Sequence, residues 1–319
     1  MLYYHFQAPG MQADVAKIAM GTTTLVEGKE LSLNFEMLDY YLDCGGNCLD
    51  TARRYGFGES EKRIGRWMKQ RQNRHQIFIS TKGAHPIGQD MHVPRLSRAD
   101  IDQDLEESLT DLGTDYIDLY FLHRDDVNRP VSDIMETLHR HVKSGKIRAI
   151  GASNWSVERI EQANRFAKEN GMTPFSASQI KWSFSEPLPP SDDTLEIMDQ
   201  KVYPWYLKEQ MPVFAFSSQA KGYFTRRNAY GLDKPVSLGQ FSWVSLDTPE
   251  NRRRAARIDK LSRDLGVSIA SLVLAYLTND PLPTIPIIGC GSMDTLRDSL
   301  SQPDLILTDE QLRYLREGE

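Results

Sequence analysis

Strand and helix patterns alternate about eight times along the 319-residue chain, and this predicts an α/β architecture: a (β/α)8 TIM barrel, eight parallel strands closed inside a ring of helices. Each crossover is long enough for a parallel connection. The competing open sheet would carry a Gly-x-Gly-x-x-Gly turn after its first strand, whereas Gly21 is followed by Thr22-Thr23-Thr24. No linker or break in composition divides the chain, so residues 1–319 are expected to form one domain.

Ala13 to Gly21 reads as the first strand, with Tyr3 to Phe6 as a hairpin partner across Pro9-Gly10. Leu33, Met37, Leu38, Tyr41 and Leu42 repeat at helical spacing and stop at Gly45-Gly46. The second strand ends at Asp50, and its helix opens at Ser60-Glu61 and runs to Gln72. Ile77 to Lys82 is the third strand, closed by Gly83. Ser97 to Asp100 has the form of a helix cap, followed by Ile101, Leu105, Leu109 and Leu112 on one face and Gly113 as the stop. Ile117 to Leu122 is the fourth strand and ends in His123. A helix from Val131 to Ser144 leads to the fifth strand, Ile147 to Gly151, and a helix from Ser156 to Asn170 to the sixth, Phe175 to Ile180. After Pro187, Pro189 and Pro190 a helix is expected from Asp193 to Glu209, then the seventh strand, Pro212 to Phe216. Ser217 to Asp247 reads as irregular. Thr248-Pro249-Glu250 caps an arginine-rich helix, Ser268 to Asn279 is an apolar helix, and Thr284 to Ile288 is the eighth strand. Met293 to Leu300 and Asp309 to Leu315 are C-terminal helices.

A formal charge of −6 argues against a nucleic-acid binder, which carries a basic surplus. No apolar run approaches the roughly 20 residues that span a bilayer, and Met1 to Phe6 lacks a basic n-region, so a cytoplasmic protein without membrane partners is expected. The cysteines, Cys44, Cys48 and Cys290, are odd in number, which fits a reducing compartment. Cys44 and Cys48 flank a Gly-Gly turn with no second pair at zinc spacing, so they read as packing residues and no metal site is expected. Arg252 to Arg257 reads as a solvated helix face.

Asp50, Lys82 and His123 stand at consecutive strand ends, with Tyr55 in the loop just beyond Asp50. In a barrel that face collects the strand-to-helix loops and builds the active site. A tyrosine hydroxyl shares its proton poorly at neutral pH, and an ammonium nearby favours the phenolate. Lys82 can supply that charge, Asp50 can hold Lys82 charged and oriented, and His123 can polarise a carbonyl oxygen together with Tyr55.

The segment Asp50 to Glu61, D-T-A-x-x-Y-G-x-G-x-S-E, together with Ser80-Thr81-Lys82, the strand Ile117 to His123 and Gly145 to Asn154, resembles the aldo-keto reductases across nearly the whole chain. The resemblance implies an NADPH-dependent oxidoreductase acting on a small-molecule aldehyde or ketone, with Tyr55 as proton donor and Asp50, Lys82 and His123 completing a tetrad. It also implies a cofactor site. Ser153, Asn154 and Gln179 match residues that hold the nicotinamide carboxamide, and Phe216 stands where an aromatic ring stacks on the nicotinamide. Ser217, Gln219 and Lys221 lie in the loop over the pyrophosphate. Gly289, Thr295, Asp298 and Ser299 fall at the adenosine end. There the chain departs from its relatives: Gly289 to Thr295 contains no cation for a 2′-phosphate, Thr295 replaces a common arginine, and NADH stays open beside NADPH. Lys221 and the Arg252 to Arg257 helix are the other sources of charge. The resemblance also admits a regulatory protein that keeps barrel and cofactor.

Substrate choice in such a fold is set by loops, here Gly83 to Arg95, Arg124 to Pro130, Trp182 to Pro190 and Gly222 to Asp247. Phe57, Trp182, Tyr223, Phe224 and Trp243 are candidates to line a pocket, with local packing as the alternative. Arg54, His85 and Arg124 favour a sugar or another polar carbonyl.

Overall fold

The computed structural model describes residues 1–26, 30–88, 90–190, 192–237 and 239–318. Gln89 and Leu238, in two of the loops expected to shape the pocket, lie outside them. Strands β1 (Tyr3–Ala8) and β2 (Met11–Ala16) form an antiparallel hairpin with Tyr3 opposite Ala16. The barrel strands are β3 (Ala19–Gly21), β4 (Cys48–Asp50), β5 (Phe78–Gly83), β6 (Ile117–Leu122), β7 (Ile147–Ser153), β8 (Ala177–Lys181), β9 (Val213–Phe216) and β10 (Thr284–Ile288). They pair in parallel and in order, and β10 returns to β3 to close an eight-stranded barrel. No single helix among the described residues is long and apolar enough to cross a membrane.

Side chains alternate between the two faces of a strand, so residues two apart share the barrel interior. Cys48, Phe78, Leu119, Phe121, Ala149, Ala177, Phe214 and Ile285 fill that interior as one buried cluster. The same parity carries Asp50, Lys82, His123, Ser153, Gln179 and Phe216 inward, one layer higher, at the C-terminal strand ends. Gly151 makes room for the filling, because a Cβ there would stand 2.4 Å from the Phe121 ring. Beneath the filling, Phe6 and Val15 of the hairpin belong to the same cluster, with the Phe6 and Phe78 rings edge to face at 5.6 Å. The hairpin therefore stoppers the N-terminal mouth.

Three elements differ from expectation. The expected strand Ala13 to Gly21 breaks at Lys17-Ile18, where the chain leaves the hairpin for the barrel; Lys17 donates its backbone N–H to Leu2 at 2.8 Å. The expected helix from Asp193 is confined to Tyr203–Glu209. Before it, Asp192 Oδ1 accepts from the Thr194 N–H at 3.0 Å and Asp199 Oδ1 from Lys201 at 2.8 Å, local turns that compete with a helix. Conversely, the segment read as irregular holds a helix, Tyr223–Tyr230, bracketed by Gly222 and Gly231.

Candidate active site

At the top of the barrel Asp50 and Lys82 form a buried ion pair, Nζ to Oδ2 2.8 Å, with the lysine side chain 0% exposed. Asp50 Oδ1 accepts from Ser80 Oγ at 2.7 Å and Gln179 Nε2 at 3.0 Å. The ammonium has three protons and meets three acceptors: Asp50, the Thr51 carbonyl at 2.7 Å, and the Tyr55 hydroxyl at 3.4 Å. Burial works against the charge on Lys82, but Asp50 and Tyr55 outweigh it and hold its pKa above the ordinary lysine value. The loop carrying Tyr55 is sharply bent: Gly56 and Phe57 have φ of 58° and 54°.

His123 completes the group. Its ring lies edge-on to Tyr55, centroids 6.1 Å apart, and to His85, 4.6 Å apart. Burial, then the charges of Lys82, His85, Arg124 and Arg54, push its pKa well below that of an ordinary histidine, so it is neutral near pH 7. Its Nδ1 is buried without a hydrogen-bond partner among the described residues.

Tyr55, His123 and Asp50 form one end of an open cleft of about 1300 Å³. Every residue expected at a cofactor lines that cleft: Ser153, Asn154, Gln179, Phe216, Ser217, Gln219, Lys221, Gly289, Thr295, Asp298 and Ser299. Asn154, Ser217, Ala220 and Lys221 all have positive φ, between 50° and 57°, backbone conformations that cost non-glycine residues about 1–3 kcal/mol each and gather at functional sites. Gln219 Nε2 donates to Ser299 Oγ at 2.9 Å and ties the loop after β9 to the helix Met293–Ser299. Ser292 and Thr295 cap that helix reciprocally.

Residues 17–318 match the Aldo/keto reductase family. The chain belongs to that family. Among its curated relatives, norsolorinic acid reductase A of Aspergillus parasiticus is 26% identical over 332 aligned positions covering 99% of this chain and 81% of the relative. Aryl-alcohol dehydrogenase [NADP(+)] of Phanerodontia chrysosporium is 27% identical, with 97% and 84% covered. Among solved structures, an aldo/keto reductase from Klebsiella pneumoniae in complex with NADP and acetate superposes with a TM-score of 0.70 at 24% identity, covering 98% of this chain and 93% of that one. A thermostable aldo-keto reductase bound to the inhibitor epalrestat gives a TM-score of 0.74 at 23% identity, with 99% and 98% covered.

Within this aldo/keto reductase the candidate aromatics part ways. Tyr223 and Trp243 are core residues of a second buried cluster, Trp182 lies outside the main cleft, and Phe57 is 71% exposed and does not line the cleft. Phe224 is buried yet lines the cleft. Arg124 also lines it, and Arg54 stacks over Phe57 at 4.6 Å. The arginine-rich helix faces away: Arg252 pairs with Asp247, and Arg253, Arg254 and Arg257 with Glu250. Arg226 and Ser242, which line the cleft, were not among the sequence candidates. The bracketing glycines Gly222 and Gly231 were the available signal for the helix that carries Arg226.

Proposed function

We propose that residues 1–319 form one barrel domain that works as an NADPH-dependent carbonyl reductase, taking a polar aldehyde or ketone to the alcohol with Tyr55 as proton donor. The observation that carries this reading is the contact from Lys82 Nζ to the Tyr55 hydroxyl, 3.4 Å, at the wall of the cleft. The phenol oxygen accepts from a buried ammonium, so its own proton stays available, and the same ammonium stabilises the phenolate left behind. Asp50 keeps Lys82 charged and aimed. His123 is neutral; its Nδ1 has no partner among the described residues, and a buried orphan costs less as an acceptor than as an N–H donor, which favours the proton on Nε2, from where it can polarise a carbonyl oxygen.

The residues present fit a nicotinamide dinucleotide. Phe216 offers a half-buried ring in the cleft, and Lys221 offers a cation with no ion-pair partner among the described residues. Asn154 spends both amide protons, on the His123 carbonyl and Ser153 Oγ, and Gln179 spends one on Asp50, which leaves the Ser153 hydroxyl proton, the second Gln179 amide proton and the Gln179 carbonyl for a carboxamide. When bound, the nicotinamide supplies hydride to the carbonyl carbon. NADP and NADPH in the similar Klebsiella pneumoniae structures, and NADP(+) in the name of the Phanerodontia chrysosporium relative, support NADPH as the cofactor.

Arg54, His85 and Arg124 near His123 support a polar carbonyl, and the names of the relatives add aryl carbonyls to the panel worth testing. NADPH oxidation should be followed with hydroxy-ketones, sugars and aromatic aldehydes. Turnover that collapses in Tyr55→Phe is the expected result. Tight cofactor binding without turnover on any of them would favour a regulatory protein instead.

A further inference from the structure

The adenosine end of the cleft poses a charge problem that the structure narrows to one residue. A ribose 2′-phosphate brings about two negative charges that need cationic partners. The loop Gly289 to Thr295 has no cation, and the Thr295 hydroxyl is spent on Ser292. Asp294 is 95% exposed, with Arg297 3.8 Å away; Arg297 lies over the Tyr40 ring and does not line the cleft. The arginines from Arg252 to Arg257 are held by Asp247 and Glu250.

Lys221 and Arg226 are left, and they occupy different places. Lys221 follows Phe216 closely, in the strained loop, and opposes the charge of half-buried Lys181 at the end of β8. Arg226 sits further along, in the helix Tyr223–Tyr230. That helix and the helix Met293–Ser299 both pack against the helix Ile269–Thr278, and Arg226 lines the cleft together with Ala270, Asp298 and Thr295. Ser268 and Ser271 both donate to the Asp298 carbonyl, at 3.3 and 3.5 Å, which sets Ala270 beside it. The exposed Arg226 guanidinium has one polar partner among the described residues, Ser242 Oγ at 3.4 Å. Its neighbour Arg227 is the contrast: buried, donating to the Gly231, Leu232 and Lys234 carbonyls and paired with Asp247 at 3.0 Å.

We propose that Arg226 is the residue that selects a 2′-phosphorylated adenosine ribose, while Lys221 serves the pyrophosphate common to both cofactors. This rests on the reading of the cleft as a nicotinamide dinucleotide site. A guanidinium presents two parallel N–H groups to phosphate oxygens, and a single solvent-exposed pair of this kind contributes a modest preference. The clamp thus sits in the helix after β9 and not in the loop after β10.

The test is titration of the whole protein, by quenching of its own fluorescence, with NADPH, NADH, 2′,5′-ADP and 5′-AMP. Arg226→Gln should weaken NADPH and 2′,5′-ADP by about tenfold and leave NADH and 5′-AMP unchanged, with Arg226→Lys between. Lys221→Ala should weaken NADPH and NADH alike and spare 2′,5′-ADP, which has no pyrophosphate. Thr295→Arg added to Arg226→Gln should restore NADPH binding by returning a cation from the loop after β10. A preference for NADPH that survives Arg226→Gln overturns the assignment of Arg226 and leaves the reductase reading standing. Failure of the wild-type protein to bind either dinucleotide overturns both.

Discussion

The two ends of the cleft solve opposite problems. At the near end Lys82 and Asp50 are 0% and 2% exposed, and each polar hydrogen of the lysine has an acceptor. At the far end Lys221 and Arg226 stand exposed, and Arg226 touches one hydroxyl. Charge in the dry end is stabilised only by fixed partners, so losing one strands the other in a medium that cannot solvate it. In the wet end water replaces whatever partner is lost. On the proposed reading, chemistry belongs to the first kind of environment and discrimination between ligands to the second.

Substitutions should sort themselves by that difference. The largest effect is expected for Tyr55→Phe, which should lower kcat by roughly 10²–10⁴-fold with cofactor affinity intact; hydride transfer at wild-type speed in a single turnover would sink the assignment. Next, Lys82→Met leaves the Asp50 carboxylate with only Ser80 and Gln179, and should cost about 3–5 kcal/mol of stability in urea unfolding. It should also alter the pH dependence of the rate, and Asp50→Asn should do both less severely. A pH–rate profile untouched by Lys82→Met would exclude the electrostatic role.

Glu61, behind the near end, extends the contrast to pH. Burial pushes its pKa up to about 7, against a hydrogen bond from Thr81, at 2.6 Å, and the more distant Arg53 at 3.7 Å. Between the ordinary carboxylate range and about pH 7 the folded chain keeps a proton that the unfolded chain has released. The stability this gives is full below that window and lost as pH rises through it. Glu61→Gln should therefore gain on the wild type with rising pH, by on the order of 3 kcal/mol at most. His123, whose pKa is depressed, pulls the other way in both proteins and cancels from the difference. A gap in Tm that does not change with pH would refute the shift. The smallest effect belongs to the wet end: Thr295→Arg should widen the preference for NADPH over NADH by no more than about tenfold and leave kcat unaltered.

The dry end was also the more legible in the sequence. Asp50, Lys82 and His123 close apolar runs, and strand parity alone turns them inward. The segments that escaped have weak or competing local signals. Asp192 and Asp199 turn the chain by capping nearby N–H groups, and the bridge from Lys181 to Ile197 is a tertiary pairing that no local pattern announces. Tyr223–Tyr230 has only 8 residues and mixes aromatic with basic side chains, so its periodicity is faint and gives Arg226 no local signal. Tyr223 and Trp243 have the composition of a binding pocket, yet they pack against one another at 5.6 Å in a core that only the folded chain creates.

The hairpin at the base has a consequence for proton traffic. With Phe6 and Val15 closing the barrel from below and Leu119, Phe121, Phe214 and Ile285 filling it, the route from beneath toward Tyr55 runs through apolar side chains. On the proposed reading, Tyr55 recovers the proton it gives up through the cleft, the doorway the product also uses. On that reading, recharging the acid and emptying the site share a single mouth.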